Sequence, residues 1–367
     1  MNKAIIAVAG AGKTEQLISL VAMESRPERA IVLTYTTMNQ FEDSARIAQK
    51  AVRGNTVPVL GWKAFLLNEI VLPYLPRLYL DVQLHGLAPS DPQSFKFLKG
   101  ESRYLTKDGR AYPSMLGKLA FDVINASNSA AIRRLEQLFD SIYIDEGQDL
   151  RGNDLCVLEA LFKSSINITI VLDPRQSTLS TADRDSKYKN YQYARIIKLY
   201  RLWERKKLLE IKICNETHRF IPDIALLSDR IFSDELHLEK TISHVKPRGT
   251  HDGVYLINKN DLSSYASKHD ATLLSLKESS RFGVPHAMNF GASKGLTRDD
   301  VFIFATNPIE KFLMQGTPLS EKSACGFYVA LTRARYSVAI AVKYPDKVLS
   351  ASHNENSPLY SIGVKRE

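Results

Sequence analysis

The sequence is poor in cysteine and lacks any long apolar run. Its three cysteines, Cys156, Cys214 and Cys325, lie far apart and without C-x-x-C spacing. This spacing argues against a disulfide framework or a zinc site, and it favours a reducing, cytoplasmic compartment. No segment approaches the roughly 18 consecutive apolar residues of a membrane span, and we find no repeats or low-complexity tracts. We therefore expect no membrane partner.

Acidic residues are outnumbered by basic ones. The 49 lysines and arginines exceed the 40 acids and give a formal net charge of +9, with a pI near 9.2. This balance favours a polyanionic partner such as nucleic acid, although many basic proteins bind none. The 367 residues exceed what one hydrophobic core usually serves. Two or three domains are therefore expected.

Apolar runs of strand length alternate with segments of helical period. Residues 4–8 and 30–34 read as strands, whereas residues 15–22 and 41–52 read as helices. This alternation indicates βαβ units and a parallel sheet. The proline-punctuated stretch 58–138 breaks the rhythm and looks inserted. The predicted organisation is a first α/β lobe in two parts (1–57 and 139–207), an inserted accessory subdomain (58–138) and a second α/β lobe (208–367).

An almost complete phosphate-binding loop follows the first predicted strand. Residues 7–14 read AVAGAGKT, and helix-forming residues follow directly. Small residues let backbone N–H groups surround a triphosphate at a helix N-terminus, Lys13 neutralises phosphate oxygens, and Thr14 can ligate Mg²⁺. Ala7 replaces the first glycine of the usual pattern, so a chance glycine-rich turn is the alternative. The loop residues predicted to bind ATP are Ala9, Gly10, Ala11, Gly12, Lys13 and Thr14.

A second cluster of chemically capable residues follows the predicted strand at residues 141–144. It reads Asp145-Glu146-Gly147-Gln148-Asp149, at the strand end where doubly wound folds place their ligands. Asp145 is predicted to hold Mg²⁺, together with Thr14, and Glu146 to polarise the attacking water. The alternative is an acidic cluster in a solvated turn.

The pattern Asp-Glu-x-Gln-Asp after a strand resembles the Walker B motif of UvrD/Rep-like superfamily 1 helicases. The resemblance implies two RecA-like P-loop NTPase lobes with parallel sheets, the first carrying a mostly helical insertion. Together the matches cover residues 7–335, nearly the whole chain. The other matching segments, in family order, are residues 33–38 (LTYTTM, motif Ia), 172–177 (LDPRQS, motif III), 215–219 (NETHR, motif IV), 291–297 (GASKGLT, motif V) and 328–335 (YVALTRAR, motif VI).

The resemblance also assigns roles to single residues. It implies that Gln176 senses the γ-phosphate and that Arg219 and Arg333 act beside Glu146 as arginine fingers. Arg219 could instead be a surface ion pair, and the choice between Arg333 and Arg335 rests on family alignment. The further predicted ATP-binding residues are His218, whose alternative is a structural histidine, and Gly295. The predicted nucleic-acid contacts are Thr34, Tyr35, Thr36, Trp62, Asn289 and Ser293, although a lone tryptophan is more often a core residue.

Some features of the family have no counterpart in this sequence. Residues 177–181 read STLST where relatives carry stacking aromatics, and about seventy residues separate motifs IV and V, too few for the large accessory domain. The first strand begins too near Met1 for the adenine-reading glutamine motif, which leaves adenine selectivity in doubt. Segments 92–118 and 177–209 combine basic and aromatic residues. This combination is typical of a groove that binds single-stranded nucleic acid, and the alternative is a solvated face over core aromatic residues.

The motifs together predict an ATP-dependent nucleic-acid motor. ATP and Mg²⁺ are the expected cofactors, and single-stranded or tailed DNA is the expected partner. By resemblance, movement is expected to run 3′ to 5′ along single-stranded DNA. The alternative is a regulatory ATPase subunit that senses nucleotide or DNA ends and controls a nuclease partner protein, as in anti-phage defence systems of the Gabija type.

Overall fold

The computed structural model describes residues 1–35, 37–50, 57–178, 187–269, 271–276, 287–355 and 357–366. These residues form two six-stranded sheets in which every strand pairs in parallel, and helices connect the strands. The fold class predicted from the sequence is confirmed: the chain is an α/β protein with two parallel-sheet lobes.

The first sheet has the strand order β3-β2-β4-β5-β1-β6. Its inner strands are nearly continuous apolar runs, as expected for strands buried on both faces. The strands of this sheet are β1 (Lys3–Ala7), β2 (Ala30–Thr34), β3 (Val59–Gly61), β4 (Ser141–Ile144), β5 (Asn167–Leu172) and β6 (Glu210–Cys214). The helices of this lobe are α1 (Lys13–Ala22), α2 (Thr37–Lys50), α3 (Trp62–Phe65), α4 (Leu72–Tyr74), α5 (Leu116–Ala126), α6 (Ala130–Leu138), α7 (Asn153–Phe162) and α8 (Ile196–Arg205).

The strand β6 belongs to the first lobe. It pairs in parallel with β1, with Glu210 opposite Lys3 and Cys214 opposite Ala7. The boundary predicted at residue 208 precedes this strand, and the pairing moves the end of the first sheet to Cys214. The boundary was missed because β6 is an edge strand with exposed Glu210 and Lys212, and it lacks the apolar run of an inner strand.

The segment 58–138 shares the hydrophobic core of the first lobe. β3 pairs with β2 in the sheet, and a π-helical turn at Leu66–Val71 joins α3 to α4. Phe65 and Leu119 from this segment lie in one buried cluster with Ile142 of β4. Its helical content agrees with the predicted insertion, but its helices pack as part of the lobe. Residues 78–115 contain one short 3₁₀ turn, Gly100–Arg103.

The second sheet has the strand order β11-β10-β12-β13-β9-β14. Its strands are β9 (Gly253–Asn258), β10 (Thr272–Ser275), β11 (Met288–Asn289), β12 (Arg298–Phe304), β13 (Ala334–Val342) and β14 (Lys365–Arg366). The helices of this lobe are α9 (Pro222–Asp229), α10 (Leu262–His269), α11 (Asn307–Gln315), α12 (Glu321–Leu331) and α13 (Pro345–Ala351). A two-stranded parallel sheet of β7 (Glu216–Thr217) and β8 (Ile242–Ser243) precedes it.

The parallel order brings the chemically capable segments to one edge of the first sheet. In this sheet β5 lies between β1 and β4. The loops that follow these three strands therefore begin side by side, at the carboxyl ends of the strands. Ligands of open parallel sheets bind at such carboxyl ends. In the part of the chain that the structure describes, no helix is both long and apolar enough to cross a membrane.

Candidate active site

The loop between β1 and α1 has the backbone of a phosphate-binding loop. Gly10 and Gly12 adopt φ angles of +78° and +72°, in the left-handed region that glycine enters without steric cost. Gly12 caps α1, which begins at Lys13. The first N–H groups of a helix have no partner within the helix, so they provide an anion site at the end of β1.

The second lobe packs directly against this loop. The Thr217 hydroxyl donates to the Ala9 carbonyl at 2.8 Å, and the His218 N–H donates to the Gly10 carbonyl at 3.1 Å. A Cβ placed on Gly10 would lie 2.4 Å from Cβ of Arg219. Only glycine fits here, and the residues after β7 are therefore held close to the loop.

Thr14 and Asp145 form an oxygen pair suited to a divalent cation. The Thr14 hydroxyl donates to Oδ2 of Asp145 at 3.0 Å, and Oδ1 of Asp145 accepts the Glu146 N–H at 2.7 Å. Asp145 is buried, and burial followed by the charge of Glu146 raises the pKa of this carboxyl. A hydroxyl and a carboxylate are ligands that Mg²⁺ prefers, and a cation would offset the buried negative charge. These residues fit the predicted metal.

The Glu146 carboxylate is held at one oxygen. Gln148 Nε2 donates to Oε2 of Glu146, and Nζ of Lys294 lies 3.4 Å from the same oxygen. Burial alone would raise the pKa of Glu146, but the charges of Lys294 and Lys13 outweigh it and hold that pKa well below its usual range. The group is therefore ionised and able to accept a hydrogen bond from water. Its backbone φ of +56° is in the left-handed region, which is strained for a residue other than glycine.

A buried network joins the loop after β5 to the P-loop and to α12. Gln176 Nε2 donates to Oδ2 of Asp173 at 2.8 Å. The Tyr328 hydroxyl donates to the same oxygen at 3.2 Å and accepts the Ala9 N–H at 3.1 Å. The Asp173 N–H in turn donates to Oε1 of Gln148 at 3.0 Å. Gln176 is thus positioned through Asp173, and the same aspartate links the two lobes.

Two arginines of the second lobe carry buried charge. Arg333 is 1% exposed, and its guanidinium donates to the carbonyls of Val329 and Leu296 at 3.0 and 3.1 Å. Burial, and after it the charge of Arg219, lowers the pKa of Arg333 to about 9. Burial also lowers the pKa of Arg219. Among the described residues, neither guanidinium forms an ion pair with a carboxylate. Buried cations without an anion are costly, so this pair fits an anionic ligand.

Arg335 lies outside this buried site. Its side chain is 46% exposed, and its guanidinium is 4.0 Å from Oδ1 of Asp299. Of the two arginines in the matched motif VI, Arg333 is therefore the buried one, and the charges of Arg219 and Arg333 and of Arg219 and Arg335 act on each other. It lies in the turn between α12 and β13.

The other predicted ATP-binding residues differ in their surroundings. Lys13, at the start of α1, acts electrostatically on both Asp145 and Glu146. His218 is exposed and its ring stacks on His244, with centroids 5.0 Å apart. Gly295 is exposed and has a φ of +88°.

Three of the six predicted nucleic-acid contacts are buried. Thr34 is 1% exposed and its hydroxyl has no hydrogen-bond partner among the described residues. Trp62 is 2% exposed and packs on Phe65 in the core of the first lobe, so its ring is not available to a base. Ser293 is buried and its hydroxyl donates to the Phe290 carbonyl. The remaining three are half-buried Tyr35, exposed Asn289 and Thr36, which lies outside the described residues.

The two basic and aromatic segments differ in what they expose. In segment 92–118, Tyr104 is buried, whereas Phe97 is 83% exposed with Lys96 above its ring. In segment 177–209, Tyr200 and Trp203 are fully buried core residues, and residues 179–186 lie outside the described chain. Phe97 is therefore the most exposed of the aromatic rings that the two segments show.

Sequence reasoning missed two residues that connect the lobes at this site. Lys294 Nζ lies 2.7 Å from Oδ2 of Asp149, and the charges of Asp149 and Glu146 outweigh burial and raise the pKa of Lys294. Tyr328 provides the hydrogen bonds to Ala9 and Asp173. Lys294 lies within the matched motif V and Tyr328 within the matched motif VI.

Comparisons with known proteins give weak likenesses. No protein-family model matches the chain, and no curated protein does. Among solved structures, the chain is similar to Arterivirus nonstructural protein 10 (helicase), with a TM-score of 0.47 and 13% sequence identity. It is also similar to the complex of that helicase with DNA, with a TM-score of 0.46 and 13% identity. The matches cover 95% of this chain but only 61% and 63% of those chains, so this chain spans less than two thirds of their length.

Proposed function

We propose that the chain is an ATP-hydrolysing nucleic-acid motor whose active site lies between its two lobes. The observation that carries this proposal is the pair of half-buried Arg219 and buried Arg333. Neither arginine has a carboxylate partner among the described residues. Arg219 packs on the P-loop at Gly10, and the charge of Glu146, which lies on the opposite lobe, acts on both arginines. A triphosphate would supply the missing negative charge.

The first lobe provides the binding determinants. The N-terminus of α1 and the Lys13 ammonium attract phosphate oxygens. Thr14 and Asp145 would hold Mg²⁺, which, when bound, neutralises charge on the phosphates. Phosphoryl transfer depends mainly on position and electrostatics, so these groups need little further covalent help.

Hydrolysis requires groups from both lobes. Glu146 orients the attacking water through its ionised carboxylate, while Arg219 and Arg333 stabilise charge that develops on the transferred group. Gln176 is held near the site by Asp173, which also bonds Tyr328 of the second lobe. Closure and opening of the lobes would therefore be coupled to the state of the nucleotide.

Nucleic acid is proposed as the partner on charge and on the motif resemblance. The net charge of +9 favours a polyanion, and exposed Phe97 beside Lys96 offers a ring together with a cation. The resemblance to UvrD/Rep-like helicases supplies the 3′ to 5′ direction. The regulatory role beside a nuclease partner stays a hypothesis from the sequence.

Displacement of streptavidin from the two ends of an oligonucleotide tests whether the chain moves along single-stranded DNA, and in which direction. A single-stranded oligonucleotide with biotin at its 5′ end is incubated with streptavidin, the purified chain and Mg-ATP, and a second oligonucleotide carries biotin at its 3′ end. We expect ATP-dependent release from the 5′ end and much slower release from the 3′ end. The Glu146→Gln variant is the matched control without hydrolysis. Release from neither end would reject the motor, and faster release from the 3′ end would reject the direction.

A further inference from the structure

Lys294 reaches from the second lobe into the carboxylate cluster of the first. Its ammonium lies 2.7 Å from Oδ2 of Asp149 and 3.4 Å from Oε2 of Glu146, and its side chain is only 11% exposed. Asp149 is 1% exposed, and Glu146 is also largely buried. Because both carboxylates are buried, water screens their ionic contacts with the Lys294 ammonium very little.

The contact leaves one oxygen of the catalytic carboxylate free. Both Gln148 and Lys294 approach Oε2 of Glu146. No hydrogen bond to Oε1 occurs among the described residues, and this oxygen is not sealed in the interior. The carboxylate therefore has one oxygen that fixes its rotation and one oxygen that can accept a hydrogen bond from water.

The loop that carries Lys294 also holds Arg333. Lys294 directly follows the 3₁₀ turn Gly291–Ser293, and the carbonyls of Ser293 and Leu296 accept from the Arg333 guanidinium at 3.5 and 3.1 Å. One short loop of the second lobe thus fixes both the arginine and the lysine. Any displacement of this loop relative to the first lobe moves both groups together.

We propose that Lys294 is a positioning residue that orients Glu146 only when the lobes are closed. Its ammonium bridges Oε2 of Glu146 and the carboxylate of Asp149 across the interface between the two lobes, and this contact aligns the Glu146 carboxylate. Water is therefore activated only in the state in which Arg333 is also in place. This inference rests on the proposed ATPase function. It adds a specific link between closure and the water-activating group.

The test compares three variants of the full-length chain in steady-state ATP hydrolysis. Lys294→Met should lower kcat about 10- to 100-fold, because misplacement of a catalytic group by an ångström costs on that order. The KM for ATP should stay within about twofold, since Lys294 touches no predicted phosphate ligand. Lys294→Arg should recover part of kcat, because it keeps the charge. Lys322→Met, an exposed lysine on α12, should equal wild type.

Several results would overturn the proposal. An unchanged kcat in Lys294→Met would do so, and so would a loss confined to KM. Equal loss in Lys294→Arg and Lys294→Met would indicate that charge at this position is not what matters. If Lys294→Met does not fold, Lys294→Gln replaces it with the same expectations.

Hydrogen exchange separates this proposal from the proposed function. Backbone amides of residues 145–149 should exchange faster in Lys294→Met than in wild type, with little change in residues 253–258 of the second sheet. This measurement needs no hydrolysis. If wild type hydrolyses no ATP, the proposed function fails. Unchanged exchange at residues 145–149 overturns the role of Lys294 independently.

Discussion

At the scale of single residues, we expect Lys13 and Glu146 to act on different steps. Lys13→Ala removes a charge predicted to hold phosphate oxygens, so nucleotide affinity should fall. Glu146→Gln removes only the carboxylate that orients water, so affinity should be kept while turnover falls roughly 10²-fold or more. Titration with a fluorescent ATP analogue and a phosphate-release assay measure the two effects. Loss of affinity in Glu146→Gln with normal turnover would reverse the assignment.

Arg333 should matter for the transition state more than for binding. Its buried guanidinium has no carboxylate partner among the described residues, so we expect its charge to act on the transferred phosphoryl group. Arg333→Ala should lower turnover by roughly 10²-fold or more, with a much smaller change in ATP affinity. Arg335→Ala is the matched control, because Arg335 is half exposed. Equal effects of the two substitutions would remove the distinction that the structure draws between them.

The sequence could indicate which residues carry the chemistry, but not which contacts join the two lobes. Lys13, Thr14 and Asp145 follow apolar strands, so strand ends and side-chain chemistry were sufficient to select them. The contact between Lys294 and Asp149 joins positions 145 residues apart, and it exists only because two separate sheets pack at one edge. Nor does a sequence show burial: Trp62 reads as a surface aromatic or as a core residue until its 2% exposure is known.

At the scale of elements, the close packing of α5 on α7 depends on one glycine. A Cβ on Gly117 would lie 2.2 Å from Oδ1 and 3.1 Å from the backbone nitrogen of Asp154. Gly117→Ala should therefore force the helices apart and lower the free energy of unfolding by about 1–3 kcal/mol. Thermal or denaturant unfolding measures this. Gly249→Ala, where a Cβ meets nothing within 4 Å, should leave stability nearly unchanged.

Strands with a strong apolar pattern could be predicted from the sequence, whereas the edge strand β6 and the first residue of α1 could not. The strands predicted at residues 30–34 and 141–144 coincide with β2 and β4, because inner parallel strands are apolar throughout. The edge strand β6 alternates charged and apolar residues and was assigned to the wrong lobe. Helix α1 begins at Lys13, two residues before the predicted start, because the glycine cap and not the apolar face sets its beginning.

At the scale of the whole molecule, binding of nucleic acid should be mainly ionic. The chain is basic, and the aromatic residues Tyr200 and Trp203 that could have stacked on bases lie in the core. If about six phosphates are contacted, affinity for single-stranded DNA should fall about 300-fold between roughly 50 and 200 mM salt. Fluorescence anisotropy measures this slope, with an uncharged peptide nucleic acid as control. We also expect little unwinding of long duplexes by the isolated chain, and processive unwinding at moderate salt would contradict this.

ATP turnover with and without single-stranded DNA tests the central claim most directly. The claim is that the interface of Thr14, Asp145 and Glu146 with Arg219 and Arg333 hydrolyses ATP under the control of nucleic acid. At low salt, phosphate release by wild type should depend on Mg²⁺, increase when an oligonucleotide is added, and fall roughly 10²-fold or more in Glu146→Gln. Equal turnover in wild type and Glu146→Gln, or turnover that no oligonucleotide changes, would contradict the account.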